Sequence, residues 1–482
     1  MSSNDHHPNS QSRRPNILLI LADQWRGDHL GIEGHPVLST PNLDHLGAAG
    51  AHFRRAYSEC PSCIPARRTI FSGQSPAAHG MVGMKGNVPW DIRCTLPATL
   101  AGAGYQTEMI GKLHLYPKRR LYGFHHLQLS EGTNRGDDGN DYVDWLRDGG
   151  AVPLEMGVGH GVSQNGWIGR PSHLPETKTH SFWCVSQAIE FLTKRDPTAP
   201  FFLNVSFIEP HPPLTPPQFY YDRYMALDLP EPVVGDWAPD VPPSKGQNPN
   251  AWYVNLDRET MRRCRAGYYG LMNHVDDQIA RLLDFMRIKG LMNDTFVLFT
   301  SDHGEMLGDH HMFRKTFPYE GSARVPFLVN APAWMGLRRH VTSFAPVGLQ
   351  DVMPTLLDAA GTPIPESVTG RSVLPLLREA DAPWRDAIHG EHSGLYQNDL
   401  GMHFLVDRRM KYIWFSQTGR EQLFDLDDDP METHNLADEP DAETRLAPWR
   451  QRLAEELRDR PEGFVQHDRL VAGQSHTQMV PR

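Results

Sequence analysis

Residues Asn16-Ile17-Leu18-Leu19-Ile20-Leu21-Ala22-Asp23 form an unbroken apolar run that ends on a carboxylate. A short continuous run of this kind predicts a β-strand buried on both faces, which is typical of parallel sheets. Two later runs, at 201–207 and 295–302, have the same character, and amphipathic helical patterns lie between the runs, the clearest at 257–289. This alternation predicts the fold class α/β, with a large, mostly parallel sheet flanked by helices.

The pattern changes toward the C-terminus. Residues 411–415 and 421–425 have the character of antiparallel strands, followed by a turn at Asp429-Pro430 and a helix over about 441–458. These features predict a smaller C-terminal α+β subdomain. The predicted division is a disordered lead-in at 1–14, a catalytic domain at 15–373, the subdomain at 374–465 and an extended tail at 466–482. The tail is long enough to grip a neighbouring copy, so a homo-oligomer is one expectation.

The composition bears on the partners and the compartment. The chain is 39% hydrophobic and 22% charged, as in ordinary globular proteins, and its formal net charge is −11. Because it is acidic and has no long Lys/Arg run, we expect no nucleic-acid partner. The longest apolar stretch near the start, 17–22, is too short for a signal or a membrane span, so we expect no membrane. Together with only five cysteines, this predicts a cytoplasmic protein without disulfides.

Two of the three predicted strands end in a carboxylate followed by another metal-ligating side chain. The pairs are Asp23-Gln24 and Asp302-His303. Because the carboxyl ends of parallel strands meet at one edge of a sheet, where ligands bind, we expect the pairs to converge. Carboxylate and amide oxygens suit a hard divalent cation, and the imidazole widens the choice toward Mn²⁺. For either pair alone, a turn or helix-cap role of the aspartate is the alternative.

Cys63 lies in Cys63-Ile-Pro-Ala-Arg67, a segment with the signals of a helix start. Pro65 suits the first helical turn and Gly73 suits the stop. Cys63 would then lie at free backbone N–H groups, where anions bind well. Cys60-x-x-Cys63 also fits a redox pair or half of a metal site, but the chain has no second cysteine pair to support that interpretation.

Further cationic or titratable side chains lie near the predicted strand ends. Lys112 and His114 alternate within 110–115, which predicts that both lie on one face of an extended segment and form the wall of an anion pocket. His211 lies between two prolines that stiffen its loop. Lys315 follows the third strand and is expected to return to the same site, and Arg314 beside it is an equally reasonable candidate.

Taken together, these segments resemble the type I, formylglycine-dependent sulfatases of the alkaline phosphatase superfamily. The matching elements occur in the family's order: Asp23-Gln24, Thr40-Pro-Asn-Leu-Asp44, Cys63-Ile-Pro-Ala-Arg67, Gly111-Lys-Leu-His114, Pro210-His-Pro212, Ser301-Asp-His-Gly304, and Leu423-Phe-Asp-Leu leading to Pro430 and Asn435-Leu436. The resemblance covers nearly the whole chain and implies an alkaline-phosphatase-like fold. Many sulfatases have two acidic residues in place of Asp23-Gln24, so the motifs are nearest to the choline-sulfatase and phosphonate monoester hydrolase branches.

The resemblance implies a modified nucleophile. Cys63 would be oxidised to formylglycine (3-oxoalanine), which makes a formylglycine-generating enzyme the maturation partner. One hydroxyl of the hydrated aldehyde attacks sulfur and expels the alcohol, and the second then loses its proton so that sulfate is released. One divalent metal, usually Ca²⁺ in sulfatases with Mn²⁺ as the alternative, would serve as Lewis acid. Its implied ligands are Asp23, Gln24, Cys63, Asp302 and His303.

The same resemblance implies roles for five further side chains. Arg67 and Lys112 would stabilise the diol and the developing negative charge. His114 would take the proton in the second step. His211 and Lys315 would contact the sulfate and the departing oxygen, with one of them as general acid. Lys112, His211 and Lys315 are thus the implied substrate-binding residues.

The function predicted on this basis is hydrolysis of a small aryl, alkyl or carbohydrate sulfate ester. The alternative is a phosphonate monoester or phosphodiester hydrolase that uses the same site, and a third interpretation is a non-catalytic binding protein on a sulfatase scaffold. Specificity is expected to come from the loops between the motifs, at 87–93, 157–170, 230–249 and 390–396.

Overall fold

The computed structural model describes residues 13–131, 139–149, 162–246 and 248–481 of the chain. Its strands, in chain order, are β1 (Asn16–Asp23), β2 (Ala51–Phe53), β3 (Ala56–Tyr57), β4 (Gln106–Gly111), β5 (His126–Leu129), β6 (Phe201–Pro210), β7 (Thr295–Ser301), β8 (Phe327–Asn330), β9 (Val341–Ser343), β10 (Val347–Gly348), β11 (Ile388–His392), β12 (Met402–Val406), β13 (Met410–Phe415), β14 (Glu421–Asp425), β15 (Val465–Gln466) and β16 (Arg469–Leu470). Its α-helices are α1 (Pro41–Ala49), α2 (Cys63–Ser72), α3 (Pro76–His79), α4 (Leu96–Gly102), α5 (Asp141–Asp148), α6 (His180–Lys194), α7 (Gln218–Met225), α8 (Arg258–Ile288), α9 (Glu320–Ala323), α10 (Val352–Ala359), α11 (Leu374–Arg378) and α12 (Ala442–Leu457).

The central sheet has eight strands in the order β5-β4-β6-β1-β7-β8-β2-β9. The first five are mutually parallel, whereas β8 runs antiparallel to both of its neighbours. β1 lies between β6 and β7, and Leu19 is paired with Asn204 on one side and Leu298 on the other. The prediction of an α/β fold around a large, mostly parallel sheet is therefore confirmed.

The side chains of β1 divide between two apolar clusters, one on each face of the sheet. The even-numbered residues from 18 to 22 pack with side chains of α6 and α8, and the odd-numbered residues from 17 to 21 pack with those of α2 and α10. Full burial of one Leu or Ile side chain contributes about 1.5–3 kcal/mol. The strand is thus firmly fixed at the centre of the sheet, and so is the position of the carboxylate that ends it.

The long helix α8 matches the helix predicted over 257–289. Its N-terminus is capped by Asp257, whose carboxylate accepts a hydrogen bond from the backbone N–H of Thr260 (2.8 Å). The predicted apolar stripe is buried, and Tyr268 on that stripe donates a hydrogen bond to the carbonyl of Gln24 (2.6 Å). The helix therefore fixes the backbone immediately beyond β1.

The C-terminal part contains a four-stranded antiparallel sheet, β11-β12-β13-β14. The strands predicted at 411–415 and 421–425 are β13 and β14, and the predicted helix corresponds to α12, which packs on this sheet. β11 and β12 were missing from the prediction. The sequence of β11, Ile388-His-Gly-Glu-His392, is mostly polar and so carries no apolar strand pattern.

The predicted domain boundary at residue 374 falls inside the packing of the first domain. Leu374 and Leu377 of α11 are buried in the same apolar cluster as α2 and α10. The C-terminal sheet begins only at Ile388. The change in packing therefore lies later in the chain than 373/374. The division into domains itself stays a prediction.

A buried ion cluster joins the two parts. Lys411 on β13 places its Nζ 2.6 Å from Oε1 of Glu320 on α9 and 2.9 Å from Oε1 of Glu432, and it also donates to the carbonyl of Pro318 (3.1 Å). Burial raises the pKa of Glu432 to about 7. All three ammonium hydrogens have acceptors, whereas Oε2 of Glu320 has no hydrogen-bond partner among the described residues and lies 3.8 Å from Nε of Arg324. We call Glu320, Lys411 and Glu432 the joint cluster.

The described end of the chain folds back onto its own molecule. Residues 465–470 form the β15-β16 hairpin, and Val82 donates a backbone hydrogen bond to the carbonyl of Gln478 (3.0 Å) while Val480 donates to Gly80 (2.9 Å). The described part of the tail predicted at 466–482 thus makes hydrogen bonds to its own chain. Most of the predicted lead-in, residues 1–12, lies outside the described residues. No helix among the described residues has the length and apolarity needed to cross a membrane.

Candidate active site

The carboxyl ends of β1, β6 and β7 meet at one edge of the sheet, as the sequence predicted. Asp23 ends β1, Asp302 follows β7, and His211 follows β6. The backbone N–H of Gln24 donates to Oδ1 of Asp302 (3.2 Å), and the N–H of His211 donates to the carbonyl of Asp23 (3.1 Å). Three segments that are far apart in the sequence are therefore tied together by hydrogen bonds that backbone N–H groups donate.

Cys63 is the first residue of α2, and Gly73 ends that helix with a φ of 65°, both as predicted. The Sγ atom of Cys63 lies 3.2 Å from Nε2 of His303, 3.2 Å from Nζ of Lys315 and 3.8 Å from Oδ1 of Asp23. Burial and the nearby carboxylate favour the neutral thiol, but the surrounding cations outweigh them and hold the pKa of Cys63 well below its usual range. The position is thus built for a negatively charged or strongly polar nucleophile.

The C-terminal subdomain covers the segment before Cys63. The imidazole Nε2 of His392 on β11 lies 3.1 Å from Oγ of Ser62, and Glu391 donates a backbone hydrogen bond to the carbonyl of Glu59 (2.7 Å). Cys63 is only 2% exposed in the folded chain. Cys60 is fully buried, and burial raises its pKa well above the usual range, which disfavours the redox interpretation.

The residues with metal-ligating atoms form one buried group. One such atom from each of Asp23, Cys63, Asp302 and His303 lies within 4.8 Å of the others. Nδ1 of His303 is 2.9 Å from the carbonyl of Gly304 and must donate to it, so Nε2 is the nitrogen directed toward the other ligand atoms. Burial disfavours the imidazolium form, but the charge of Asp302 outweighs burial and raises the pKa of His303. Burial and the charge of Asp23 raise the pKa of Asp302. The donor set and its concentrated negative charge fit a divalent cation.

Gln24, a predicted metal ligand, takes part in a different set of contacts. Its Oε1 accepts a hydrogen bond from Nζ of Lys315 (2.9 Å), and its amide nitrogen donates to Glu305. Its backbone has a φ of 71°, an uncommon conformation for a residue other than glycine. The sequence reasoning missed Glu305, although its position directly after Asp302-His303-Gly304 was a signal that could have found it.

Arg67 and Lys112 are both committed to the carboxylates of the site. Nε of Arg67 donates to Oδ2 of Asp302 (2.8 Å), Nη1 donates to the carbonyl of Lys112 and to Oγ of Ser206 (3.0 Å), and Nζ of Lys112 pairs with Asp23. The Nη2 atom of Arg67 is buried without a hydrogen-bond partner in the described part of the chain. Ser206, inside the apolar run of β6, gave no signal in the sequence.

The prediction of an extended segment over 110–115 was wrong. β4 ends at Gly111, which has a φ of 98° and approaches the carbonyl of Ser206 so closely that a Cβ would collide with it. His114 then adopts a φ of 54°, and its backbone N–H donates to Glu131 (2.9 Å). The side chains of Lys112 and His114 nevertheless line the same cavity, because the turn replaces the alternation that was expected.

His211 and Lys315 complete the site. Nδ1 of His211 is 2.8 Å from the carbonyl of Pro212 and must donate to it, which leaves the Nε2 lone pair free. Burial and the charge of Lys315 lower the pKa of His211 to about 3. Burial favours the neutral amine of Lys315, but Cys63 and nearby carboxylates raise its pKa. In the described structure His211 is therefore neutral and Lys315 is charged at neutral pH.

These side chains open on a cavity of about 330 Å³. Two of the loops expected to set specificity line it, through Gln164 and Asn165 and through Leu395 and Tyr396, and Arg314 lies in the same wall as Lys315. The described residues of 230–249 are not part of its lining. A larger surface groove at 338–346 and 380–386 contains none of the site residues.

Comparisons with known proteins agree with this geometry. The sulfatase family model matches residues 15–362, and a model of the N-sulphoglucosamine sulphohydrolase C-terminal region matches residues 308–459. The chain is 41% identical to an arylsulfatase of Clostridium perfringens, over 95% of this chain and 98% of that protein. It is 29% identical to a choline-sulfatase of Rhizobium meliloti, over 89% and 83% of the two chains. The crystal structure of a phosphonate monoester hydrolase of Agrobacterium radiobacter superposes with a TM-score of 0.76 at 27% identity, over 92% of this chain and 96% of that one.

The sheet, the site and these similarities together define the class of this protein. The chain belongs to the sulfatase family of the alkaline phosphatase superfamily. It is an enzyme, a hydrolase of sulfuric esters, so the interpretation as a non-catalytic binding protein is wrong. The predicted kinship with choline-sulfatase and phosphonate monoester hydrolase is confirmed.

Proposed function

We propose that this enzyme hydrolyses a small aryl, alkyl or carbohydrate sulfate ester through a formylglycine at position 63 and one divalent cation. The observation that carries the proposal is the environment of residue 63. Its side chain lies at a helix N-terminus, 3.2 Å from both Nε2 of His303 and the ammonium group of Lys315. This surrounding suits a polar nucleophile next to a bound anion.

Asp23, Asp302, His303 and residue 63 would hold the cation, with Gln24 as a further oxygen ligand. Bound there, the cation would supply Lewis-acid polarisation of the ester and would favour ionisation of the nucleophile. Oxygen atoms dominate the donor set, so Ca²⁺ is the first candidate, and the imidazole keeps Mn²⁺ as the alternative.

The cationic side chains around this centre would stabilise the negative charge that develops in the reaction. A formylglycine hydrate would offer one hydroxyl for attack on sulfur and a second whose proton is removed when sulfate is released. Arg67 is oriented by Asp302 and has a buried Nη2 atom left over, which suits it to stabilise developing negative charge. Lys112, whose Nζ pairs with Asp23, would contribute the same stabilisation.

The proton transfers fall to the histidines and Lys315. His211 is neutral in the free enzyme, and the negative charge of a bound sulfate ester would favour its imidazolium form. It would then donate from Nε2 to the departing oxygen, while Lys315 contacts the sulfate. His114, whose Nδ1 is buried without a described partner, would accept the proton of the second hydroxyl.

The second candidate function is hydrolysis of phosphonate monoesters or phosphodiesters at the same site. The similarity to a phosphonate monoester hydrolase favours it, and so does the neutral amide of Gln24, which makes the metal-binding group less negative. Specificity constants for paired aryl sulfate and aryl phosphonate esters would decide between the two. A preference for the sulfate supports the main proposal, and a preference for the phosphonate replaces it.

The decisive experiment is to express the chain with and without a formylglycine-generating enzyme and to weigh the peptide that contains residue 63. We expect the mass to fall by the difference between a thiol and an aldehyde, and turnover of an aryl sulfate to rise with the modified fraction. A fully active preparation in which Cys63 is an unmodified thiol would disprove the mechanism.

A further inference from the structure

Arg314 is presented to the cavity by a backbone held in an uncommon conformation. Between 307 and 316, five residues other than glycine have positive φ angles: Leu307, His310, His311, Arg314 and Thr316. Such conformations cost free energy and persist where the surrounding structure fixes them. Glu305 does so here, because its Oε1 accepts hydrogen bonds from the backbone N–H of both Leu307 (2.9 Å) and Arg314.

The guanidinium group is positioned but not neutralised. One terminal nitrogen of Arg314 donates to the carbonyl of Asn250, and the group lies 5.8 Å from the ring centroid of Tyr396. Tyr396 is stacked in turn on Trp252, with centroids 5.5 Å apart and ring planes within 7°. The Nε atom is buried without a hydrogen-bond partner, and no described carboxylate oxygen lies within 4.0 Å of the guanidinium nitrogens.

This separates Arg314 from the other cations of the site. Arg67 is paired with Asp302, Lys112 is paired with Asp23, and Lys315 contacts Cys63 and Gln24. Those three cations are committed to the reacting centre. Arg314 lines the same cavity, directly beside Lys315, with its charge still available. Leaving a partly buried charge without a counter-ion is unfavourable, so the arrangement suits an anionic ligand that is absent until the substrate binds.

We propose that Arg314 forms an anion subsite for the leaving group, so that the preferred substrate carries a second oxyanion, a carboxylate or another sulfate, besides the ester that is cleaved. This inference rests on the proposed hydrolysis of sulfate esters. Tyr396 and the carbonyl of Asn250 fix the guanidinium group, and the planar donor fork binds an oxyanion through two parallel hydrogen bonds. Arg314 is thus a specificity residue rather than part of the reacting centre.

The test compares phenyl sulfates that carry a carboxylate in the meta or para position with the matching neutral carboxamides. We expect kcat/KM to favour the better carboxylate isomer by about tenfold, the size of one charge-assisted contact, and this ratio to shrink at high salt. Arg314→Gln should bring the ratio close to one, with the loss falling on the carboxylate ester, and Arg314→Lys should retain part of it. Arg371→Gln, which removes an exposed charge of the same sign outside the cavity, is the matched control.

Calorimetric binding of the corresponding hydroxybenzoates and hydroxybenzamides gives a second readout that needs no hydrolysis. Arg314-dependent preference for the benzoates would support the subsite even if no sulfate ester were turned over, and that pair of results would reject the proposed function alone. Equal loss of both esters in Arg314→Gln would show that Arg314 binds the transferred sulfate and would overturn the proposal. Equal kcat/KM for both esters in the wild type, with equal binding of the two phenols, would also overturn it.

Discussion

Two buried groups of charged side chains in this molecule contain similar residues but differ in how their side-chain nitrogen atoms are paired. The joint cluster sets Lys411 between Glu320 and Glu432, and its ammonium group has an acceptor for each hydrogen. The active site sets two carboxylates among three cations, yet it leaves Nη2 of Arg67 and Nε2 of His211 without partners in the described chain. The cation of the joint cluster is thus fully paired by protein acceptors and holds two parts of the structure together, whereas the active site leaves a donor and a lone pair free for a ligand.

The largest effect is expected from removing the nucleophile of the active site. Cys63→Ala should lower kcat/KM by about 10⁴-fold or more, because no other described side chain can replace the proposed formylglycine. The midpoint of thermal unfolding should change little, since the side chain removed is small. Steady-state kinetics with an aryl sulfate, beside a thermal melt, would check both. Substantial residual turnover by the variant would contradict the assignment of residue 63.

Removal of the cation should come next in size. Prolonged chelation should lower turnover by about 10²-fold or more, since the ester would lose its Lewis acid, and Ca²⁺ or Mn²⁺ added back should restore it. A cation at 100 times its dissociation constant should also raise the free energy of unfolding by about 2.7 kcal/mol. Asp302→Asn is the matched variant and should lose this stabilisation. Unchanged activity in protein verified to be metal-free would be the contrary result.

Disrupting the joint cluster should affect stability and not catalysis. Lys411→Met removes the cation of Glu432, leaves Glu320 only its longer pair with Arg324 (3.8 Å) and should lower the free energy of unfolding by about 3–5 kcal/mol. Denaturant unfolding gives this value, and kcat of the folded fraction should stay the same. Lys85→Met, at an exposed position, is the control and should change stability by less than about 0.5 kcal/mol. A variant as stable as the wild type would show that the cluster does not hold the joint.

The joint cluster should also make stability depend on pH. The pKa of Glu432 is raised to about 7, so between its ordinary value near 4.5 and about 7 the folded state binds the proton more tightly than the unfolded state does. The free energy of unfolding should therefore fall as the pH rises through this window, by about 3 kcal/mol, and then level off. Glu432→Gln should remove this slope. An identical pH profile for the variant and the wild type would refute the assignment.

The smallest effect is expected at the part of the active-site cavity wall that lies beside Arg314. Tyr396→Ala removes a ring beside Arg314 but touches no group of the reacting centre. We expect KM to rise by a factor of about three to ten, with kcat changed less than threefold. Phe219→Ala, at a side chain that is 69% exposed and does not line the cavity, is the control for loss of an aromatic ring. A fall in kcat alone would place Tyr396 in the chemistry instead.

What the sequence predicted well were features that one segment decides by itself. The strand at 16–23 and the helix at 257–289 have continuous apolar patterns, and the helix start at Cys63 has its proline and its terminal glycine close by. The meeting of Asp23 and Asp302 also followed from one general property of parallel sheets. These features carry the fold and the reacting centre.

What the sequence did not predict depends on contacts between distant segments. The turn at Gly111 depends on its close approach to Ser206 on a neighbouring strand. The alternation of Lys112 and His114 in the sequence therefore did not predict the conformation of this segment. The contacts of Gln24 depend on Glu305, and no local pattern distinguishes Arg314 from Lys315. β11 escaped prediction because its polar residues are buried by the rest of the subdomain and not by an apolar pattern of their own.

Because β11 covers the segment before Cys63, the order of synthesis and folding bears on when residue 63 can be modified. If residue 63 is oxidised as proposed, the maturation enzyme must reach it before the hydrogen bond between His392 and Ser62 closes that segment, because the folded chain exposes only 2% of Cys63. At about 5–20 residues per second, a ribosome needs on the order of tens of seconds to go from one position to the other. The order of synthesis, with the cysteine early and β11 late, would thus give the proposed modification time to precede the final fold.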